Sequence, residues 1–264
     1  MKAKLIFFVL LMAVMDLQAQ PYTLIRQIDV KAKAINIDLL DNLYITTEQN
    51  QLIKYDAKGQ QMAIFNISSF GAISAVDVSD PLKIVVQYAT FQKAVILDNT
   101  LSELGRYSFS NIQPARLRLV VTAKSGGFWC YDETQTRVLK INSSFESILT
   151  TGTNLATDLG YIPQPISLTE FKNEIYLNDT NRGIIVADAY GTYYKTLPFK
   201  KVKSFSLSND LLWYYQAKQL HLYDTKKLQD SLMSLPAVDS PLDIKVSNNH
   251  LYIISEKAVS LWAF

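Results

Sequence analysis

Ala34-Ile35-Asn36-Ile37-Asp38, then Asn42-Leu43-Tyr44-Ile45, then Gln51-Leu52-Ile53-Lys54-Tyr55-Asp56: these three runs decide how the chain folds. Each is short, rich in β-branched and aromatic residues, and bounded by Asp, Asn or Gln. Alternation with a period of two marks a strand, and such residues suit the pleated surface. Asp and Asn suit the ends because their side chains bond the local backbone and start turns. Asp56-Ala57-Lys58-Gly59 reads as a tight turn into a further segment, Gln61 to Asn66. The stretch is therefore four short strands joined by turns.

The same phrases recur along the chain. The middle run returns as Lys83-Ile84-Val85-Val86, Gly127-Phe128-Trp129-Cys130, Glu174-Ile175-Tyr176-Leu177, Leu211-Leu212-Trp213-Tyr214 and His250-Leu251-Tyr252-Ile253. Its anchors, Tyr44, Val85, Trp129, Tyr176, Trp213 and Tyr252, are spaced by 41, 44, 47, 37 and 39 residues. The third run returns as segments ending on Asp98, Asn142, Asp188 and Asp224, and finally as Ala258 to Trp262. The first returns as Ala75 to Ser79, Pro165 to Thr169, Phe205 to Ser208 and Leu242 to Val246. Its third copy is blurred: Ala115 to Leu119 alternates but sits far from Trp129, which a longer hairpin through Lys124-Ser125-Gly126-Gly127 would absorb. Self-similarity at about 40 residues is the mark of a repeat architecture.

Fourth segments follow at Leu104 to Phe109, Ser147 to Thr151, Tyr193 to Leu197 and Ser231 to Leu235, but the sixth unit has none before Phe264. A spare strand, Thr23 to Ile28, stands at the other end. An N-terminal strand completing the last unit closes a ring and leaves only short, protected edges. The expectation is an all-β, six-bladed β-propeller of four-stranded blades in one domain, 20–264, with its N-terminal strand completing the last blade.

Ahead of that strand, Lys2 and Lys4 precede an apolar run from Leu5 to Val14, and Leu17-Gln18-Ala19 ends in a small residue. This order is that of a secretory signal peptide, here 1–19. The run is shorter than the roughly 20 apolar residues that span a bilayer, and no later stretch is long enough either. An exported protein, periplasmic or extracellular, is expected. The lone Cys130 excludes an intrachain disulfide and reads as a small buried hydrophobe. A net charge of +2 over 264 residues gives no electrostatic case for nucleic acid. The chain is expected to be a monomer.

With its repeated strand phrases, the chain resembles the six-bladed β-propellers of the TolB-like and NHL-like kind over nearly all of 22–264. The resemblance implies a disc with a central channel, in a fold that hosts binding, scaffolding and hydrolysis alike. Polar residues on the inner strands are then channel candidates: Asn36, Asp38, Asp77, Ser79, Arg116, Arg118, Ser167, Thr169, Ser206, Asp243 and Lys245. Of these, Asp38, Asp77, Arg116, Arg118, Asp243 and Lys245 are the expected ligand-binding set, since they mix acids and bases. Propeller lactonases hold calcium in the channel with Glu, Asn and Asp. Asp38, Asp77 and Asp243 would stand for part of that set, though Glu170 is the single Glu on an inner strand. No nucleophile elbow and no phosphate loop is present. Two histidines, His221 and His250, fall in different units and give no zinc pattern. Asn178-Asp179-Thr180-Asn181 reads as a hairpin turn. The first expectation is an exported, non-enzymatic scaffold or envelope accessory protein that binds another envelope or secreted protein. The alternatives are a channel hydrolase or lactonase with a divalent cation, calcium by the resemblance, or a small-ligand sensor.

Overall fold

A computed structural model describes residues 22–112, 115–247 and 250–264; the expected signal peptide lies outside them. Six four-stranded antiparallel sheets stand as blades round an axis. Blade 1 spans 32–65, blade 2 75–108, blade 3 117–151, blade 4 167–197 and blade 5 205–233. Blade 6 takes three strands from 243–263. Its outer strand is the N-terminal Thr23–Ile28, paired antiparallel with Val259–Ala263. The ring closes as the spare strand requires.

Within a blade, strands follow chain order from the axis outward. The second and third strands are sandwiched between neighbouring blades. Leu43–Thr47, Ile84–Tyr88, Phe128–Asp132 and Gly183–Ala187 are accordingly buried at every position. Burial on both faces explains why these runs read as continuously apolar. Outer strands meet water, and Gln229–Met233 is exposed throughout. Among the described residues, no helix is long and apolar enough to cross a membrane.

The core is six clusters, one per seam between blades. The seam of blades 2 and 3 is the richest, with Val85, Ile96, Phe109, Leu117, Phe128, Cys130 and Phe145 among its buried members. Phe145 stacks on Phe128 at 4.3 Å and on Phe109 at 5.6 Å. Cys130 lies inside this cluster, fully buried, and burial pushes its thiol well up. The seam of blades 5 and 6 is the sparest: Leu220, Ile244, Val246, Leu251 and Ile253 are buried, and Trp213 and Trp262 pack partly exposed against them.

The inner strand of blade 3 differs from its expected place. It is Leu117–Thr122, not 115–119, and no long hairpin follows it. Gly126-Gly127 is itself the tight turn: Ala123 N–H donates to Gly127 O at 3.0 Å, and Gly126 N–H to Ala123 O at 2.9 Å. A Cβ on Gly127 would lie 2.1 Å from Ile141 O, at a φ of +74°, so only glycine fits. The extra residues precede the strand instead. There a 3-10 turn, Phe109–Asn111, and Ile112 and Ala115 fill the seam to blade 2.

The turn from third to outer strand repeats five times with one device. Asp56, Asp98, Asn142, Asp188 and Asp224, the residues that end the third run in sequence, each accept two backbone N–H bonds with one side-chain oxygen, at 2.8 to 3.2 Å. This satisfies backbone donors that the turn would leave unpaired.

Candidate functional site

The strand registers place six residues at one level of the channel, each opposite its blade's anchor. They are Asn36 opposite Tyr44, Asp77 opposite Val85, Val121 opposite Trp129, Thr169 opposite Tyr176, Ser206 opposite Trp213 and Lys245 opposite Tyr252. Each anchor faces the next blade round the ring. Because paired residues share a face of the sheet, the channel residues look the same way. Their bonds follow suit. Asp77 of blade 2 accepts from Thr122 N–H of blade 3 at 2.7 Å. Ser206 of blade 5 accepts from Val246 N–H of blade 6 at 3.0 Å. Lys245 of blade 6 donates to Asn36 Oδ1 of blade 1 at 3.4 Å. One level along, Ser204 Oγ of blade 5 donates to Asp243 Oδ2 of blade 6 at 2.6 Å.

Over blades 5, 6 and 1 the inner strands carry Ser204, Ser206, Asp243, Lys245 and Asn36, all half-buried. On blade 3 the same level is apolar, and Val121 and Leu119 are buried in the seam to blade 4. Enclosure without full drying shapes the titration of the charged groups. Burial raises the Asp243 carboxyl, opposed by the Ser204 bond and by Lys245. Burial lowers the Lys245 amine, opposed by Asp243. Asp77 is also raised by burial, against bonds from Thr122 and Ser79. These directions follow from the cost of holding a charge away from water.

The six expected ligand-binding residues do not converge. Asp77, Asp243 and Lys245 stand on the channel face of their strands. Asp38, buried beyond the end of its strand, holds the first hairpin of blade 1: its oxygens accept from Leu40 and Asn42 N–H at 2.9 Å, from Asn42 Nδ2 at 2.8 Å and from Tyr44 Oη at 3.1 Å. Arg116 and Arg118 both pair with Glu133, at 3.2 and 3.1 Å, on the opposite face of the disc from Asp38. Among the described residues, no three His, Cys, Asp or Glu side chains gather as metal ligands. Of the three carboxylates that would stand for part of a calcium set, Asp38 is occupied by its hairpin, which leaves Asp77 and Asp243.

Ser204 was not legible beforehand. It lies just outside the alternating run, and only its bond to Asp243 draws it in. The histidines are tied to acids in separate blades: His221 Nδ1 is 2.8 Å from Asp230 Oδ2, and His250 Nδ1 is 3.3 Å from Asp41 Oδ2. The turn between second and third strands is shorter than the expected 178–181: Asn178 and Asp179 are buried at the end of the second strand, and the turn is 180–182, with Asp179 accepting from Asn181 N–H at 3.0 Å. Surface clefts open at the seams between blades. One of about 250 Å³ between blades 4 and 5 is lined by Phe171, Glu174, Tyr176 and Asp210. Another, about 380 Å³ between blades 2 and 3, is lined by Lys83, Tyr107, Phe128 and Ser144. In the first, Asp210 is already bound by Lys172 at 2.7 Å and Lys226 at 2.8 Å.

No family model matches the sequence, and no curated protein matches it. Solved structures do match the fold. A catalytically inactive virginiamycin B lyase from Staphylococcus aureus, with quinupristin, is 11% identical, covers 92% of this chain and 99% of its own, and has a TM-score of 0.64. The Pan2 WD40 domain of Neurospora crassa is 9% identical, with coverages of 92% and 95% and the same TM-score. A streptogramin B lyase is 11% identical, with coverages of 89% and 79% and a TM-score of 0.59. At such identities the likeness is one of fold: this chain is a β-propeller.

Proposed function

We propose that this chain is a small-molecule-binding propeller that holds its ligand in the channel, against the polar arc of blades 5, 6 and 1. The observation that carries this reading is Lys245. Its Nζ sits inside the ring with one 3.4 Å contact to an amide oxygen, and no carboxylate lies within 4 Å among the described residues. A half-buried amine so weakly held has donor capacity left for a guest. Ser204, Ser206 and Asp243 add hydroxyls and an acid to one side of that guest. A few convergent polar groups are what fix the orientation of a ligand in small-molecule sites. A lyase of similar fold recorded with quinupristin supports a propeller as a holder of small molecules.

The test is thermal unfolding against a panel of short hydroxy-, keto- and amino-carboxylates. A saturable rise in Tm is expected for at least one compound, by linkage of binding to folding, and it should vanish in Lys245→Met. An equal rise in Lys245→Met would end the reading. Arg118→Ala should leave the rise intact, because Arg118 is held by Glu133 at the disc face.

A second reading, a docking scaffold, is favoured by one feature. The hairpins after the inner strands of blades 1 and 2 expose Leu39, Leu40 and Leu82, at 78%, 67% and 69%, on one face of the disc. Exposed apolar groups on adjacent loops are what a protein partner covers. Leu40→Asp with Leu82→Asp should abolish crosslinking to that partner while sparing ligand binding. Export to the periplasm or beyond is part of both readings and rests on residues 2–19. An N-terminus mapped at Gln20 on the isolated protein would bear it out.

A further inference from the structure

The lysines of this chain divide sharply by what holds them. Lys172 and Lys226 are locked to Asp210 at 2.7 and 2.8 Å. Lys54 is buried but donates to Asn99 O at 2.6 Å. Lys245 has only the 3.4 Å contact to Asn36. An acid sits beside it: Asp243 is two residues earlier on the same strand face, roughly 7 Å away from Cα to Cα, with its Oδ2 held by Ser204 Oγ at 2.6 Å. Lys203 of the neighbouring blade also acts on Asp243.

We propose that Lys245 is a nucleophilic amine that condenses with a small aldehyde or ketone bound in the channel, with Asp243 as the acid that drives out water. This rests on the channel reading above and names its substrate class. The Nζ lone pair attacks the carbonyl carbon, a C–N bond forms, and the oxygen takes the proton released by nitrogen. Protonated Asp243 then gives its proton to that hydroxyl, the C–O bond breaks, and water leaves. The product is a protonated imine on Lys245 beside an Asp243 carboxylate, so atoms and charge balance. Burial prepares both partners, since it favours the neutral amine and the protonated acid. A desolvated lysine is the usual form of an amine nucleophile, and a carboxyl kept protonated by burial is a ready donor.

The test uses the intact wild-type protein with glyoxylate and cyanoborohydride near neutral pH, followed by peptide mapping. Reductive trapping should label Lys245 at least about tenfold faster than exposed Lys218, an ordinary solvated amine of the same protein. Asp243→Asn should slow labelling at Lys245 and leave Lys218 unchanged, and Lys245→Arg should remove the fast site. Glycolate, which has no carbonyl to condense, should protect Lys245 if the channel binds such compounds. Protection without a fast adduct would overturn the imine and keep the channel reading. Neither protection nor a fast adduct would overturn both.

Discussion

Five times the chain turns from the third strand of a blade to the outer one, and five times an Asp or Asn oxygen takes two backbone N–H groups there. Six times an inner strand passes the axis, and the residue at the shared level is Asn, Asp, Val, Thr, Ser or Lys. The rim repeats because every blade must solve the same folding problem. The channel does not, because its six positions do not build blades. Where a repeat protein stops repeating, the residues are free to serve a ligand. In blade 6 the outer strand is instead the N-terminal Thr23–Ile28, and beside it Tyr22 lies edge-on to Phe264 at 5.9 Å, its Oη donating to Ser234 O at 2.7 Å.

That break supplies the largest expected effect. Deleting Thr23–Ile28 removes the outer strand of blade 6 and bares the edge of Val259–Ala263. It also takes Ile28 out of the seam of blades 6 and 1. Cooperative thermal unfolding should be lost, or Tm should fall by more than any point substitution below. A truncated form that melts unchanged would show that closure is not what the rim turns are serving.

Next comes Phe145, which occupies the left-handed position of the blade 3 rim turn, at a φ of +60°. Glycine fills the matching place in Gly59 and Gly191, at +73° and +78°. A phenylalanine there is strained, and its packing against Phe128, Tyr107 and Phe109 offsets that strain. Phe145→Ala should cost about 3 to 4 kcal/mol by urea unfolding. A loss below about 1 kcal/mol, within the range of surface changes, would mean that the ring stack does not organise this turn.

Rim and channel carboxylates should also respond to acid with opposite sign. Asp98 is lowered by the Thr100 hydroxyl bond and the Ser102 N–H, and Asp224 by the Lys227 N–H. Their contribution is full above the unfolded carboxylate range and is lost as pH falls through their depressed values. Asp77 and Asp243 are raised by burial. Their ionised forms oppose folding above the raised values, and that cost disappears below the ordinary carboxylate range. Asp77→Asn should therefore stabilise the protein at neutral pH, with an advantage that fades on acidification, whereas Asp98→Asn should show no such gain. Equal pH profiles for the two variants would erase the distinction between the regions.

The same contrast explains what the sequence disclosed. The strands, the order of the blades and the closing strand were legible because burial on both faces writes itself as repeated apolar runs ending in Asp or Asn. The inner strand of blade 3 was misplaced because Leu117, Leu119 and Val121 alternate as well as Ala115 to Leu119 do. Only the close approach of Gly127 to Ile141 fixes the register. Within the site, Asp243 and Lys245 could be named as inner-strand polar residues. Nothing in the sequence showed that Asp38 bends inward onto Tyr44, or that Arg116 and Arg118 turn to Glu133. Those choices depend on hairpin geometry and on a glutamate in the next turn. Ser204 was invisible for the same reason: its role is a contact between blades.

The smallest effect concerns a turn that uses neither device. Ala217-Lys218 links the second and third strands of blade 5 as a two-residue loop, closed by Gln216 opposite Gln219, with φ of +50° and +65°. A loop of that shape suits a glycine or asparagine pair, since it needs positive φ at both positions. Blade 3 meets a like demand with Gly126-Gly127, at +86° and +74°. Lys218 is exposed and bears no bridging role, so replacing it with glycine relieves the backbone without removing a buried contact. Lys218→Gly should raise stability by about 0.5 to 1 kcal/mol, net of glycine's own entropic cost, and leave channel binding unchanged. A destabilised variant would mean that the lysine stem covers more of blade 5 than its exposure suggests. That blade shares the sparest seam of the ring, so even a small loss there would be readable as faster hydrogen exchange in Gln219–Asp224.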